Sequence, residues 1–566
     1  MASLNNRRTL FATTSPRTPS LMLPDIQLLA EHFSGQPWNK ATQEAFTELL
    51  YRQDADKGKR LLSGYKDLVA RDRINRSPKK FGFVRLTPAV ELTPAGRLWL
   101  DAPRKAEILL RQLLKYQLPS PYHTQARGEV RFCVKPYLEL FRLIRHLGFI
   151  TFDEMMAFGL RLTDYHRFDH IVSLIEDFRR AKSARRGSYK QFFGETLRTT
   201  LLEIYAEEIG QGKTRTRETR DTSLEKFLQT KKNNLRDYAD AIFRHLRGTE
   251  MVNLSQSGHS ISIAPEKRAE VDYFLATTDR EPCLVDDLEA YVTYLGNSEL
   301  PRLLTDDRER LVQIIQTEFP GQKLRPDMDI HTLKNLLADK REARKTQIVS
   351  EQVRSLKNRE QYDDIVEKFQ GIKTMSYYDN PLMLEWNAWR AMTMLDGGDI
   401  RANLAWDDNG LPLSAAAGNM ADIVCDYGTF GLTVELTLAT GQRQFAMESE
   451  PVPRHLGRYK EQTGKQAYGL FIAPKVNEAT VAFFFGLHKT PIDFYGGETI
   501  IVPLELEVFE KMLADACRAD YVPSPAHVEK FFLRAIRLAD EATGKDGWRI
   551  WHAQVTDLAR DWLQTT

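Results

Sequence analysis

The sequence predicts a multidomain protein with a mostly α N-terminal region, a helical linker and a C-terminal α/β domain, and three observations support this. At 566 residues the chain is long enough for several domains of about 150 residues each. Hydrophobic residues make up 42% and aromatic residues 10% of the chain, which excludes a disordered protein. Near residue 377 the pattern changes from helices with short hairpins to helices alternating with strands. We place the domains at 1–280, 281–370 and 371–566.

Charge is divided unevenly between the two halves of the chain. The formal net charge is only +2, with 79 basic and 77 acidic side chains. Residues 1–280 carry 47 basic and 33 acidic side chains, whereas residues 281–566 carry 32 and 44. Clustered lysine and arginine attract phosphates whatever the total charge is. The asymmetry indicates a polyanion-binding N-terminal half, although two ordinary domains of different isoelectric point would give the same numbers.

Cysteine content and hydropathy restrict the class of protein further. The four cysteines are far apart, which predicts neither a disulfide framework nor a zinc site and fits a reducing cytoplasm. The most apolar run, residues 481–487, is shorter than the roughly 20 residues that a membrane helix needs. We therefore expect a cytoplasmic protein with no membrane association. The first 24 residues contain no acid and predict a flexible basic arm.

Two segments of the N-terminal region have the same order of predicted elements. They are Phe81–Arg97 and Met251–Arg268, and basic amphipathic helices at about 59–74 and 223–248 precede them. In each segment a strand pair is followed by a Thr-Pro or Ala-Pro step, which starts a helix with proline at its first position. Helix, hairpin, helix is the order of a winged helix, in which a helix enters the DNA major groove. Any helical domain can contain a hairpin, so this order is compatible with other folds too.

Basic side chains are densest near the first of these segments. Residues 51–150 contain 21 basic and 9 acidic side chains. Most such residues in DNA-binding proteins contact phosphates rather than bases. Any single lysine or arginine can equally belong to a solvated surface. The candidate DNA-binding residues are Arg71, Arg73, Arg76, Lys79 and Lys80, with Arg185 and Arg186 in a second cluster.

The α/β domain contains a pair of carboxylates on neighbouring predicted strands. Asp422 and Glu435 lie among apolar residues of the strands at about Ala421–Cys425 and Leu432–Leu438. A buried carboxylate is costly unless it is paired or binds a cation, so two that converge from a hairpin predict a hard-metal site. Oxygen ligands favour Mg²⁺, for which Mn²⁺ can substitute. The main-chain carbonyl of Leu436 is a candidate third ligand.

Two further carboxylates and a histidine flank this pair. Glu385 lies on the predicted helix Pro381–Leu395, and Glu448 lies on a helix predicted from about Arg443 to Gln462. His455 is seven residues after Glu448, so both would lie on one face of that helix. Mg²⁺ between carboxylates and a phosphodiester activates a bound water and neutralises the charge of in-line displacement, as a nuclease requires. The same spacing occurs by chance in other α/β proteins, and a lone histidine is more often a surface residue.

Four short segments around these carboxylates, together with His455, carry a family resemblance. The segments are Leu384-Glu385-Trp386, Ala421-Asp422-Ile423, Val434-Glu435-Leu436-Thr437 and Met447-Glu448-Ser449-Glu450. They resemble the AlwI family of type IIS restriction endonucleases and their strand-nicking relatives. The resemblance implies an N-terminal DNA-recognition region of winged-helix-like subdomains, a helical linker and a nuclease domain of the PD-(D/E)xK type. It also implies catalytic or metal-site roles for Glu385, Asp422, Glu435 and Glu448, and an active-site position for His455.

One position departs from the general PD-(D/E)xK pattern. A lysine normally stands two residues after the strand glutamate, and here that position is Thr437. Glu448 is the first candidate to take over the role of this lysine at the attacking water, and Lys460 is a weaker one. Arg454 and Lys460 are candidate phosphate ligands. The identity of the general base is therefore left open.

The resemblance implies a Mg²⁺-dependent prokaryotic endonuclease that recognises a short asymmetric duplex sequence and cuts a few base pairs outside it. One nuclease domain holds one active site, so a double-strand break requires a transient homodimer or a second nuclease subunit, and otherwise the product is a nick. The chain has no methyltransferase motif, so a cognate DNA methyltransferase would be a separate protein. Two alternatives stay open, a non-catalytic DNA-binding regulator and a structure- or modification-dependent repair nuclease.

Overall fold

The computed structural model describes residues 2–53, 66–124, 131–395, 397–415 and 420–563. It divides into two compact units, unit 1 (residues 1–343) and unit 2 (residues 344–566). Residues 281–343 belong to unit 1 because they pack against earlier helices. For example, Arg111 donates to the carbonyl oxygens of Glu299 and Pro301 at 2.9 and 2.7 Å. The three-part division at 280 and 370 stays a prediction.

Helices predominate in unit 1. No helix among the described residues of the chain is long and apolar enough to cross a membrane. The helices are α1 (Leu23–Phe33), α2 (Lys40–Gln53), α3 (Lys66–Ala70), α4 (Ser77–Lys80), α5 (Pro94–Asp101), α6 (Lys105–Lys115), α7 (Pro136–Leu147), α8 (Phe152–Ala157), α9 (Phe168–Ala184), α10 (Tyr189–Ile204), α11 (Ala206–Gly210), α12 (Leu224–Gly248), α13 (Arg268–Thr277), α14 (Leu288–Gly296), α15 (Arg308–Glu318) and α16 (Ile330–Lys357), within which the border between the units falls.

The strands of unit 1 are short and form three small sheets. β1 pairs in parallel with β4, β2 pairs antiparallel with β3, and β5, β7 and β6 form an antiparallel sheet in that order. Both predicted hairpins are therefore present, although residues 59–65 of the first predicted basic helix lie outside the described residues. The strands are β1 (Ala2–Ser3), β2 (Val84–Arg85), β3 (Glu91–Leu92), β4 (His123–Thr124), β5 (Phe149–Thr151), β6 (Val252–Leu254) and β7 (Ser260–Ile263).

Thr93 joins the first hairpin to α5. Its hydroxyl donates to the carbonyl oxygen of Gly82 at 2.6 Å and accepts from the amide of Gly96 at 3.0 Å, which caps the helix. A Cβ atom at Gly96 would lie 2.0 Å from the carbonyl oxygen of Phe83, so this close approach requires glycine. The ring of Phe83 stacks on Trp99 with a centroid distance of 4.1 Å. Hairpin and helix thus form one packed piece.

The prediction of a flexible arm at the N-terminus is wrong. β1 is paired with β4, and Leu4 and Leu10 are 1% and 0% exposed. Arg17 forms ion pairs with Asp237 and Asp240 of α12 at 3.0 and 2.9 Å. Apolar burial and these pairs outweigh the entropy lost when the segment becomes ordered. The absence of acids in the segment carries no information about these contacts.

Unit 2 is built around one mixed five-stranded sheet with the order β14-β13-β12-β11-β8. β12, β13 and β14 run parallel, whereas β11 is antiparallel to both β12 and β8. β9 and β10 form a separate hairpin. The elements are α17 (Tyr362–Lys373), α18 (Asn380–Leu395), β8 (Asp399–Ala402), β9 (Leu404–Trp406), β10 (Pro412–Ala415), β11 (Ile423–Asp426), β12 (Phe430–Leu436), α19 (Gly441–Glu448), α20 (Pro451–Thr463), β13 (Gln466–Ala473), α21 (Glu478–Lys489), β14 (Ile501–Glu505), α22 (Leu506–Arg518), α23 (Pro525–Glu541) and α24 (Gly547–Arg560).

Helices cover both faces of this sheet, which explains the continuous apolar sequence of its central strands. On one face Phe471 of β13 packs with Leu456 of α20. On the other face the preceding residue, Leu470, lies in an apolar layer with Phe532 and Trp562. Neighbouring residues of β13 therefore point into two different cores.

The single helix predicted from Arg443 to Gln462 is wrong, because the chain forms two helices there. α19 ends at Glu448, and α20 starts at Pro451. Proline has no amide hydrogen and its ring clashes with the preceding turn, so it begins a helix more readily than it continues one. Glu448 and His455 therefore do not share the face of one helix.

Candidate active site

The sheet places Asp422 beside Glu435 at the open end of the β11–β12 hairpin. Asp422 directly precedes β11, and Ile423 pairs with Val434 in antiparallel register. The amide of Leu436 donates to Asp422 Oδ2 at 2.8 Å. Glu435 is 6% exposed. The two carboxylates that the sequence placed on neighbouring strands are thus close together and largely enclosed.

Helix α20 brings His455 to this pair. Its Nδ1 lies 2.7 Å from Glu435 Oε1, and the two side chains are 10% and 8% exposed. A ring N–H that donates to a carboxylate holds both groups in one orientation. The sequence had associated His455 with Glu448, whereas the structure places it against Glu435.

The electrostatics of Asp422 reveal a concentration of negative charge. Burial raises the pKa of its carboxyl well above the ordinary value, and the charge of Glu435 and then that of Glu448 raise it further, against the amide bond from Leu436. Glu448, the last residue of α19, is therefore close enough to repel Asp422. Like charges in one enclosed place are stabilised by a divalent cation, and an all-oxygen donor set suits Mg²⁺.

The donor set at this site is small. No group of three or more histidine, cysteine, aspartate or glutamate side chains among the described residues has an arrangement that could hold a metal ion. The set predicted from sequence has two carboxylates, Asp422 and Glu435, and the carbonyl of Leu436. Mg²⁺ characteristically keeps several waters and uses one or two carboxylates together with substrate phosphate oxygens. Asp422, Glu435 and the carbonyl of Leu436 fit this coordination pattern.

Glu385 lies on α18 and is partly buried. Its helix packs against β8 and β10, and Trp389 Nε1 donates to the carbonyl oxygen of Ile400 in β8 at 3.2 Å. β8 is the neighbour of β11, which follows Asp422. Glu385 therefore stands on the helix that packs against the edge strand β8, whereas Glu435 and Glu448 are the acids whose charges raise the pKa of Asp422.

The residues considered in place of the missing lysine have contacts of their own. The hydroxyl of Thr437 accepts from the main-chain amide two residues later at 3.1 Å. Lys460 donates to the carbonyl oxygen of Glu498. Arg454 is 4% exposed and pairs with Glu450 at 3.0 Å. Both cations that were candidates for phosphate binding are thus engaged within the protein, and Glu448 is the candidate that lies near Asp422.

Gln444 supports the site and was missed by the sequence analysis. Its side chain is fully buried, and its Nε2 donates to the carbonyl oxygens of Ala439 and Lys475, each at 2.9 Å. Its Oε1 accepts from the amide of Asn477 at 2.7 Å. One amide thereby joins the loops after β12 and β13 to α19, which ends at Glu448. A glutamine in a polar stretch gives no signal of such a role.

The basic candidates of unit 1 lie in different environments. Arg73 donates to both oxygens of Asp25, at 3.0 and 2.7 Å, and Asp25 is fully buried, so this arginine has a structural contact. Arg71 and Arg76 are exposed and lie near acids one helical turn earlier. Arg185 and Arg186 are exposed in the segment after α9. The remaining two candidates, Lys79 and Lys80, stand at the end of α4.

Comparisons with known proteins identify the family of the chain. The model of the AlwI restriction endonuclease family matches residues 79–512, which is well over half of the chain and includes Glu385, Asp422, Glu435 and Glu448. Among solved structures, the small subunit of the heterodimeric restriction endonuclease R.BspD6I is similar at 23% identity with a TM-score of 0.30, over 34% of this chain and 97% of that one. No curated protein matches. The chain therefore belongs to the AlwI restriction endonuclease family.

Proposed function

We propose that the protein is a type IIS restriction endonuclease. Family membership establishes a restriction enzyme that acts on DNA. In the proposal, the winged-helix-like hairpins of unit 1 recognise a short asymmetric duplex sequence, and unit 2 is a nuclease of the PD-(D/E)xK type that cuts a few base pairs outside it. The observation that carries the proposal is the arrangement of Asp422, Glu435 and His455 in unit 2.

The contacts of the residues support the roles proposed for them. Asp422, Glu435 and the carbonyl of Leu436 would hold Mg²⁺, or Mn²⁺ in its place. When bound, the ion supplies Lewis-acid chemistry at the phosphodiester. His455 orients the Glu435 carboxylate through Nδ1. Glu448 is the group proposed to orient the attacking water, because it is near Asp422 and no lysine stands at Thr437.

The number of active sites decides whether the product is a nick or a break. The pair of Asp422 and Glu435 would form one active site, and one such site hydrolyses one strand at a time. A double-strand break then requires a transient homodimer or a second nuclease subunit. Without that partner, the same chemistry gives strand-specific nicking.

Cleavage of plasmid DNA tests the proposal directly. With Mg²⁺, and not with EDTA, we expect discrete products whose ends lie at a fixed offset from one asymmetric sequence, as mapped by sequencing of the ends. Nicked circles with cuts on one strand would identify the nicking form. Intact DNA after incubation with many unmethylated substrates would favour a DNA-binding regulator, and cuts without a common sequence would favour a repair nuclease.

We expect His455→Ala to lower the cleavage rate about 10–100-fold and to raise the Mg²⁺ concentration needed for half-maximal cleavage, because Glu435 loses the group that orients it. Both quantities are measured by titrating Mg²⁺ in the cleavage assay. His488→Ala is the matched control, since His488 Nε2 also lies 2.9 Å from a carboxylate, that of Asp540. An unchanged Mg²⁺ requirement in His455→Ala would contradict the orienting role.

A further inference from the structure

A cluster of cations surrounds Lys80 at the end of α4 in unit 1. The Nζ of Lys80 lies 5.8 Å from the centroid of the Phe11 ring. The guanidinium of Arg7, from the segment after β1, lies 4.7 Å from the same centroid. Lys79 lies over the ring of Tyr122, with its Nζ 4.8 Å from the centroid. Three cations from two separate segments of the chain thus lie over aromatic rings, two over Phe11 and one over Tyr122.

His123 of β4 completes this cluster. Its ring meets Phe11 edge to face at a centroid distance of 6.1 Å. The residue is 8% exposed, and its Nδ1 lies 2.9 Å from the hydroxyl oxygen of Ser120. Its Nε2 is buried and has no hydrogen-bond partner among the described residues. A buried polar atom with no such partner is a place where a ligand can bind.

No carboxylate in the described part of the chain forms an ion pair with Arg7, Lys79 or Lys80. The neighbouring arginines differ in this respect, since Arg8 pairs with Glu208 and Arg76 with an aspartate one turn earlier. The positive charge of the cluster is therefore not balanced by the protein that the structure describes.

Burial and the neighbouring cations together lower the pKa of two groups. Burial, followed by the charges of Arg76, Arg7 and Lys79, lowers the pKa of Lys80 to about 8. Burial together with the charges of Lys80 and Arg7 lowers the pKa of His123 to about 4. Enclosed cations that repel one another destabilise the free protein, and an anion placed among them reverses the effect.

We propose that Arg7, Lys79 and Lys80 form a pocket for one phosphate of the DNA backbone, and that the protein takes up a proton there when it binds duplex DNA. The inference rests on the proposed function, in which unit 1 binds DNA. A phosphate supplies the negative charge that no carboxylate of the described residues provides to Arg7, Lys79 or Lys80 through an ion pair. Its oxygens accept hydrogen bonds from ammonium and guanidinium groups. The cluster therefore positions the backbone rather than reading bases.

The first experiment measures binding of the full-length protein to a mixed-sequence duplex in EDTA, by fluorescence anisotropy over a range of salt concentrations. Lys80→Met should weaken binding about tenfold near 0.1 M salt and reduce the slope of log K against log salt by about one, the effect of one lost phosphate contact. Lys40→Met is the control, because Lys40 is 77% exposed and changes the net charge of unit 1 equally. Equal affinities and slopes for the two variants would overturn the proposal.

The stability of the same variant separates a ligand group from a structural one. Because methionine removes a repelled charge and keeps the apolar stem, Lys80→Met without DNA should unfold at the same temperature as the wild type or higher. A lower unfolding temperature would show that the ammonium group stabilises the free protein, which contradicts an unbalanced pocket.

Calorimetry of the wild type tests the proton uptake independently of any variant. Burial and the neighbouring cations lower the pKa of Lys80 in the free protein, and a phosphate beside the ammonium group would raise it again, so titration with duplex near pH 8 in two buffers of different ionisation enthalpy should show net proton uptake. Lys80→Met should show close to none. Absent uptake in the wild type, or uptake with inorganic phosphate and none with duplex, would overturn the proposal. If the wild-type protein itself did not bind duplex DNA, that result would instead refute the proposed function.

Discussion

Exchange of Asp422 for asparagine is expected to reduce DNA cleavage by on the order of 10³-fold or more while DNA binding in EDTA is unchanged. Asparagine lacks the charge that the proposed metal site needs. Its carbonyl oxygen can still accept the hydrogen bond from the amide of Leu436, so the β11–β12 hairpin should keep its shape. The measurement is a single-turnover cleavage rate beside a binding curve for the same duplex.

The strand that follows Asp422 offers a matched control for this change. Asp426, at the other end of β11, pairs with Lys465 at 2.7 Å near the surface, so Asp426→Asn should cleave at the wild-type rate. A thermal scan adds a readout besides activity, since Mg²⁺ should raise the unfolding temperature of the wild type and not that of Asp422→Asn. Normal cleavage by Asp422→Asn would refute the site.

The second large effect is expected from Gly96→Ala, which should lower the free energy of unfolding by about 3 kcal/mol or more. The added Cβ would lie 2.0 Å from the carbonyl oxygen of Phe83, so the hairpin must move away from α5 and the cap by Thr93 is lost as well. Chemical denaturation followed by circular dichroism measures the change. Because the first hairpin belongs to unit 1, DNA binding should fall with it.

A second glycine in a helix of unit 1 supplies the control. Gly194 lies in α10, and a Cβ there would have no atom within 4 Å. Gly194→Ala should therefore stabilise the protein by about 0.5–1 kcal/mol, because alanine loses less conformational freedom on folding. If both alanine variants unfolded at the same denaturant concentration, the stability of the first hairpin against α5 would not depend on the close approach of Gly96 to Phe83.

Local patterns predicted most elements of unit 2. The apolar run at Tyr468 lies within β13, and three helices follow β14 as expected. The missed break between α19 and α20 had a visible signal in Pro451, which was outweighed by the helical periodicity around it. The ordered N-terminal segment had a weaker signal, because Leu4 and Leu10 show their burial only through distant partners.

The sequence predicted some residues of the candidate site and missed the contacts of others. Asp422 and Glu435 were found because a carboxylate among apolar strand residues is costly to bury unless it is paired or binds a cation. The partner of His455 could not be found, since it depends on how α20 lies across the sheet rather than on spacing along one helix. Gln444 and the pairing of Arg73 with Asp25 depend in the same way on residues far apart in the chain.

By itself the sequence determined which residues are candidates for the chemistry. Alternation and apolar runs encode strands and helices locally, and the short spacing between Asp422 and Glu435 places one directly before β11 and the other within the adjacent β12. Tertiary structure alone decided which groups meet. It set His455 on Glu435, paired Arg73 with a buried aspartate, and left Arg7, Lys79 and Lys80 without an acid among the described residues. The physical reason is that charge interactions depend on distance and burial in space, and neither is written in the order of residues along the chain.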